Sequence, residues 1–190
     1  GSRSYSDSAA GLYDTTTFDM YEYSYSNNVG RDVYKNNTNI ISDNESREPK
    51  TNNLDLYIGH ENGTSGRYLN GRISEFLIFD TPLNNAEKII VQNYLSAKYD
   101  RALSVDDIYT GDNNENELNF DHDVAGIGQA TDGSNHTDSK GTGIVRVYNP
   151  RGLQNNRFLF WGEETKDPTY NFSTNPINYT EQLNSKWFIS

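Results

Sequence analysis

An acidic, amide-rich stretch in the second half of the chain has the residue types and spacing that could bind a metal ion. It covers residues 112–123 and reads DNNENELNFDHD. Twelve-residue calcium-binding loops place oxygen ligands at positions 1, 3, 5 and 12. Asp112, Asn114 and Asn116 alternate in this way, and Asp123 stands at the twelfth position. The pattern therefore predicts a calcium site whose ligands are Asp112, Asn114, Asn116, Asp121 and Asp123.

Two features of this stretch favour the alternative of a solvated acidic loop without a metal. Glu117 stands at the sixth position, where the tight turn of a calcium loop requires glycine. The neighbouring residues also lack the apolar periodicity of the helices that border such loops. Calcium still fits a looser site, because several hard oxygen ligands follow one another in an acidic chain.

The composition argues against nucleic acid and membranes as partners. Acidic residues outnumber basic ones, 27 to 16, and the formal net charge is -11, whereas nucleic acid requires a basic surface. The chain has no cysteine, so it has no disulfide framework and no cysteine-based metal site. No apolar run approaches the roughly 18 residues needed to cross a bilayer. We expect no nucleic-acid partner and no membrane insertion.

Short aromatic and β-branched runs between turn-forming residues predict many strands that could position such sites. MYEYSYS, residues 20–26, predicts a half-buried strand or, alternatively, a tyrosine platform for stacking sugars. RDVYKNNTNIIS, residues 31–42, predicts a hairpin with its turn at Asn36 and Asn37. Further strands are predicted over residues 54–59, 71–79, 143–149, 157–162 and 186–190, and ordered structure resumes at VAGIG, residues 124–128.

One segment has the pattern of a helix. Asn84 followed by Glu87 matches a capping box, in which each residue hydrogen-bonds the backbone of the other. Apolar residues recur every three or four positions over residues 86–97, interrupted by the polar Asn93. The pattern predicts a helix over residues 84–98 that packs against a sheet.

Around this helix the sequence resembles the closing segment of laminin-G-like, concanavalin A-like jellyroll domains of bacterial surface proteins. That family has a strand ending in Ile-Gly, an N-G-R-I-x-E strand, and a leucine followed by a helix ending in Y-L-x-x-K-Y. The matching residues are Ile58-Gly59, Asn70-Gly71-Arg72-Ile73, Glu75, Leu83, Glu87, Tyr94-Leu95 and Lys98-Tyr99. Residues 20–100 carry this match, and residues 125–128 with 160–162 are similar to a strand-rich extension of such jellyrolls in Bacteroidetes-type adhesins and secreted proteins.

The resemblance implies an all-β fold, an antiparallel β-sandwich of the jellyroll type with one short α-helix near residues 84–98 and further β-strands after it. It places the C-terminal part of the jellyroll in residues 1–103, and the acidic loop with the strand-rich extension in residues 104–190. The remaining sandwich strands would come from an upstream segment of the same large protein, from residues 104–190, or from another chain. A location outside the cell or on its surface follows from the same resemblance.

The resemblance also implies a binding module of a surface adhesin that recognises glycan or another surface ligand, stabilised by calcium. The alternative is a structural spacer or interaction domain without a ligand of its own. Sugar binding requires aromatic platforms beside amide or carboxylate groups, and the candidate residues are Tyr57, Tyr68 and Asn62. Trp161 and Trp187 lie within apolar strands, which favours core packing for both.

A glucanase-like glycoside hydrolase is a more distant alternative, because the jellyroll superfamily includes glucanases. Such enzymes hold two carboxyl groups close together across the scissile bond. Glu75 with Asp80, and Glu163 with Glu164, are separated by odd numbers of residues. Each pair would therefore point to opposite faces of a strand. We expect no catalytic residue and no enzyme activity.

Overall fold

The computed structural model of the chain describes residues 17–26, 30–44, 56–60, 68–112, 119–141, 145–164 and 187–189. Those residues form nine β-strands and one α-helix, and every strand pair is antiparallel. The prediction of a strand-rich chain with a helix and antiparallel sheets is confirmed for this part of the molecule.

The first sheet consists of β1 (Tyr21–Ser26), β2 (Gly30–Lys35) and β3 (Thr38–Asp43), in that order. β2 and β3 are joined by Asn36 and Asn37, whose φ angles are 45° and 65°. A two-residue turn with positive φ at both positions follows the twist of the flanking strands, and asparagine tolerates that conformation. The predicted hairpin and its turn are confirmed.

Helix α1 spans Asn85–Tyr99. The side-chain oxygen of Asn84 accepts the backbone N–H of Glu87 at 3.0 Å, and the Glu87 carboxylate accepts the N–H of Asn84 at 2.9 Å. This pair satisfies backbone donors that a helix start leaves free. The helix ends at Tyr99 and is followed by the C-cap residue Asp100, which adopts a left-handed conformation. The predicted helix and cap are confirmed, and none of the described helical structure is long and apolar enough to cross a membrane.

The remaining strands are β4 (His122–Gln129), β5 (Asn135–His136), β6 (Asp138–Lys140), β7 (Arg146–Tyr148), β8 (Arg157–Glu163) and β9 (Trp187–Ile189). The second sheet has the order β5-β4-β8-β9, and β6 pairs with β7 in a separate ribbon. The strands predicted near the end of the chain are therefore present. Of the strand predicted over residues 143–149, the structure describes residues 145–149, and Arg146–Tyr148 form β7.

The two faces of β8 contribute to two apolar clusters. Phe160, 1% exposed, packs with α1 residues, among them Ile89 and Ile90. Trp161, also 1% exposed, packs with Ala125 and Ile127 in the other cluster. Neighbouring residues of a strand point to opposite faces, so one strand serves both clusters. The prediction that Trp161 packs in the core is confirmed. The same prediction for Trp187 is not tested, because its side chain lies outside the described part of the structure.

Helix α1 also contacts the first sheet, through polar side chains. Glu22 of β1 forms an ion pair with Lys88 at 2.8 Å and accepts a hydrogen bond from Gln92 at 3.0 Å. The tyrosine side of β1 faces away from these contacts, with Tyr21 46% and Tyr23 63% exposed. The predicted alternation of tyrosine and polar residues is confirmed for this strand. The polar face lies toward the helix, where Lys88 forms the ion pair with Glu22.

The strand predicted over residues 71–79 is wrong. Residues 71–79 have no ladder partner within the described part of the chain. The strand predicted over residues 54–59 is likewise not formed where that range is described, and a single bridge between His60 and Tyr68 follows it. A strand is defined by hydrogen bonds to a neighbouring strand, and an apolar run in the sequence does not identify that neighbour.

Candidate functional site

Three aromatic rings form an exposed group, which we call the aromatic group: Tyr57, His60 and Tyr68. The backbone bridge brings His60 beside Tyr68. The two rings stack with centroids 4.6 Å apart at an interplanar angle of 21°, and Tyr57 meets His60 edge-on at 5.8 Å. Tyr57 is 43% exposed and Tyr68 is 65% exposed. The rings therefore pack against one another while both tyrosines remain open to solvent.

An exposed aromatic group of this kind can bind the apolar face of a sugar ring. Tyrosine offers a flat apolar surface together with a hydroxyl, and the imidazole adds a donor or acceptor. Tyr57 and Tyr68, both predicted to bind ligand, are brought together by contacts with His60. Asn62, the third predicted residue, lies outside the described residues. His60 is not predicted from the sequence as part of this group. The only sequence signal for it is its closeness to Tyr57, three residues earlier in the chain.

The two ends of the acidic stretch are held together by hydrogen bonds. The N–H of Phe120 donates to the C=O of Gly111 at 2.9 Å. The hydroxyl of Tyr109, a residue that is 3% exposed, donates to the C=O of Phe120 at 2.6 Å. These contacts join the two ends of the acidic stretch, of which residues 113–118 lie outside the described part. We call residues 112–121 the acidic loop.

Asp112 lies half-buried where the acidic loop begins. Burial raises the pKa of its carboxyl group, and the carboxylates of Asp107, Asp100 and Asp121 raise it further, while a backbone hydrogen bond lowers it. Acidic side chains that disfavour one another's ionised form are stabilised when a divalent cation lies between them. Burial is the largest cause of the raised pKa of Asp112, so this shift describes a half-buried carboxyl group and does not by itself indicate a cation site.

The other predicted calcium ligands are distributed differently. Asp121 contacts Nδ1 of the neighbouring His122, and Asp123 lies in β4 with a φ of 50°, where the register with β8 is irregular. Asn114 and Asn116 fall outside the described residues. In the ranges that the structure describes, no three acidic or histidine side chains converge as a metal-binding group. The calcium site therefore stays a prediction.

A further polar group ties residues 71–79 to the end of α1. Glu75 accepts hydrogen bonds from Lys98 and Tyr99 at 3.0 Å and from Tyr94 at 3.3 Å. Burial raises the pKa of Glu75, but the hydrogen bonds from Lys98 and Tyr99 outweigh burial and hold that pKa below its ordinary value. The ionised carboxylate is engaged in joining two parts of the chain, which fits a structural role.

Comparison of the chain with protein-family models, with curated proteins and with solved structures finds no match. The protein is therefore classified by the features of its structure alone. It is a strand-rich protein with antiparallel sheets, an exposed aromatic group and an acidic loop anchored at both ends.

Proposed function

We propose that the chain is an extracellular binding module of a bacterial surface protein and recognises glycan through the aromatic group. The observation that carries this proposal is the exposure of Tyr57 and Tyr68 while both contact His60. Aromatic side chains usually contribute their large apolar area to a core or an interface. Rings that pack together and remain exposed are available to a ligand with an apolar face and hydroxyl groups.

The proposal places the aromatic group on a laminin-G-like jellyroll sandwich. Its support is the contact among four residues that carry the resemblance in the sequence: Glu75, Tyr94, Lys98 and Tyr99. Glu75 accepts hydrogen bonds of 3.0 to 3.3 Å from the three helix residues, and Lys98 and Tyr94 are joined within the helix by a bond of 2.6 Å. The glutamate before the helix and the Y-L-x-x-K-Y motif at its end therefore have one structural role, which is to join residues 71–79 to the helix.

Replacing Tyr57 or Tyr68 by alanine is expected to weaken glycan binding by about tenfold, or about 1.4 kcal/mol. Each substitution removes one ring of the aromatic group. A glycan array identifies the ligand, and isothermal titration calorimetry then gives the Kd of each variant. Tyr148→Ala is the matched control, because Tyr148 is 69% exposed on β7 and is not one of the three rings of the aromatic group. Its removal is expected to leave the Kd unchanged.

Two outcomes would contradict glycan recognition at this position. One is an array without signal above background for a folded sample measured with calcium present. The other is a loss of affinity in the Tyr148→Ala control that equals the loss in Tyr68→Ala. Circular dichroism of each variant separates a loss of ligand contacts from a loss of folding.

We also propose that the acidic loop and the start of β4 bind calcium. The ligands would be Asp112, Asn114, Asn116, Asp121 and Asp123. Calcium at about one hundred times its Kd is expected to stabilise the fold by about 2.7 kcal/mol, seen as a rise in Tm that EDTA reverses. Asp112→Asn should lose this rise, whereas the control Asp132→Asn, outside the loop, should keep it. A Tm that neither calcium nor EDTA changes contradicts the site.

A structural or interaction domain without a ligand of its own is the second candidate function, and a separate observation favours it. Large apolar side chains are exposed in two places: Tyr23 of β1 is 63% exposed, and Phe76 and Ile78 are 52% and 67% exposed. Exposed large apolar side chains that lie together mark sites of protein contact, and Phe76 and Ile78 are close in the chain. An array without signal would favour this function over glycan binding.

A further inference from the structure

Residues 72–80, which read RISEFLIFD, have an apolar centre between charged ends. We call them the apolar segment. The exposed fractions of its central residues are 52% for Phe76, 42% for Leu77, 67% for Ile78 and 47% for Phe79. In the described part of the chain, the backbone of residues 75–79 makes no backbone hydrogen bond. Exposed apolar residues on unpaired backbone favour pairing with a further strand.

The apolar segment is already fixed on one side. Glu75 is hydrogen-bonded to Lys98 and Tyr99 at the end of α1. When the segment is extended as a strand, Leu77 lies on the same side as Glu75, and Phe76 lies on the opposite side. The anchor also includes the C=O of Ser74, which accepts a hydrogen bond from the Tyr99 hydroxyl at 3.4 Å, but it leaves the peptide groups of residues 76–79 unused. It presets the orientation of the segment, so less conformational entropy is lost when a partner strand binds.

The charged ends make the segment complementary to itself. Arg72 has no ion pair among the described residues, and Asp80 accepts a single hydrogen bond, from Thr81 at 3.5 Å. If two copies run antiparallel with Phe76 opposite Phe76, each Arg72 lies opposite Asp80 of the second copy. In the same register, the other facing pairs are Ile73 with Phe79, Ser74 with Ile78, and Glu75 with Leu77.

We propose that the apolar segment is the interface of a homodimer, in which the segments of two copies pair as antiparallel strands about a two-fold axis at Phe76. The pairing gives partners to peptide groups of residues 75–79, which have no backbone hydrogen bond within the described ranges, and places aromatic and apolar residues opposite one another. Two opposite-charge pairs, one at each end, fix the direction and the register. The arrangement is isologous, because the same surface of each copy forms both halves of the interface.

Sedimentation equilibrium of the whole chain, from about 1 to about 100 µM, tests the dimer and its charge pairs. Arg72→Asp and Asp80→Arg each place like charges opposite one another at both ends, so each is expected to raise the Kd of the dimer by about tenfold. The double variant R72D/D80R reverses both pairs and is expected to recover the parental Kd. A parent that stays monomeric throughout, or a double variant as weak as the singles, overturns the proposal and assigns the segment to a different partner.

Disulfide crosslinking tests the register independently. The chain has no cysteine, so a single introduced thiol reports on one position. Phe76→Cys is expected to give a covalent dimer under mild oxidation, because the two Cα atoms would lie about 5.5 Å apart or less. Ile78→Cys is the matched control, since its thiols would be about 14 Å apart along the strands and should not crosslink. Equal crosslinking at both positions, or none at position 76, overturns the proposed pairing.

Discussion

Replacing Asn93 by alanine is expected to lower the free energy of unfolding by about 3 kcal/mol or more. Asn93 lies in α1 with 0% of its surface exposed. Its amide nitrogen donates to the C=O groups of Ile89 and Asp106, each at 2.8 Å. Its amide oxygen accepts the N–H groups of Ile108 and Tyr109, each at 2.9 Å. The side chain of Asn93 therefore satisfies backbone groups of residues 106–109, a segment that lies beside the helix.

The expected loss follows from the groups that alanine would leave behind. The N–H groups of Ile108 and Tyr109 and the C=O of Asp106 would lose their partner in a closely packed region. A buried polar group without a partner costs about 1–3 kcal/mol. Asn93→Leu restores apolar volume but not the hydrogen bonds, so we expect a similar loss. Denaturant unfolding followed by circular dichroism gives the free energy of unfolding of both variants.

Asn85→Ala is the matched control for this prediction. Asn85 lies in the same helix but is exposed, and its side chain donates a single hydrogen bond, to Asp132 at 2.8 Å. Its replacement is expected to cost less than about 1 kcal/mol. If Asn93→Ala destabilised the protein no more than Asn85→Ala, the hydrogen bonds of Asn93 would not be what holds residues 106–109 to the helix.

The elements that the sequence predicts correctly are those decided by residues close together in the chain. Asn36 and Asn37 favour the positive φ angles of a two-residue hairpin whatever lies around them. Asn84 and Glu87 cap the helix through contacts made across three residues. In such elements, residues that are close in the sequence are also in contact, so the sequence pattern is enough to predict the structure.

The features that the sequence does not predict depend on distant contacts. Asn93 interrupts an apolar stripe in the sequence, but in the structure it satisfies residues 106–109. The apolar run in residues 71–79 predicts a strand, yet nothing in it specifies a neighbour. Tyr57 and Tyr68 are predicted from residue type, whereas their contacts with His60 depend on a bridge between two segments. A single sequence identifies what these residues are able to contact, but not which contact forms.

Gly162→Ala is expected to destabilise the protein by about 3 kcal/mol. Gly162 lies in β8, where an added Cβ would overlap the hydroxyl of Tyr109. It would also lie 2.5 Å from the carbonyl oxygen of Phe120 and 3.1 Å from a methyl group of Val124. The first two groups form the 2.6 Å hydrogen bond that closes the acidic loop. The added methyl group must therefore displace that contact or shift the strand.

Gly152→Ala separates this steric effect from the general effect of replacing a glycine. Gly152 has a φ of 78°, and nothing lies within 4 Å of an added Cβ there. Its replacement is expected to cost about 1 kcal/mol, through the backbone conformation alone. Gly162 is not among the glycines with positive φ, so its loss comes from crowding instead, and a Gly162→Ala variant as stable as the parent would show that crowding by Tyr109 and Phe120 contributes nothing.

The role of the Tyr109 hydroxyl can be isolated with a double-mutant cycle. Tyr109→Phe removes the hydroxyl and its hydrogen bond to Phe120, at an expected cost of about 1 kcal/mol. In that background the methyl group of Gly162→Ala no longer meets the hydroxyl, so its cost should fall by about 1 kcal/mol. Denaturant unfolding of the parent, both single variants and the double variant gives the coupling energy. Strictly additive losses would mean that the methyl group at position 162 and the Tyr109 hydroxyl do not interact.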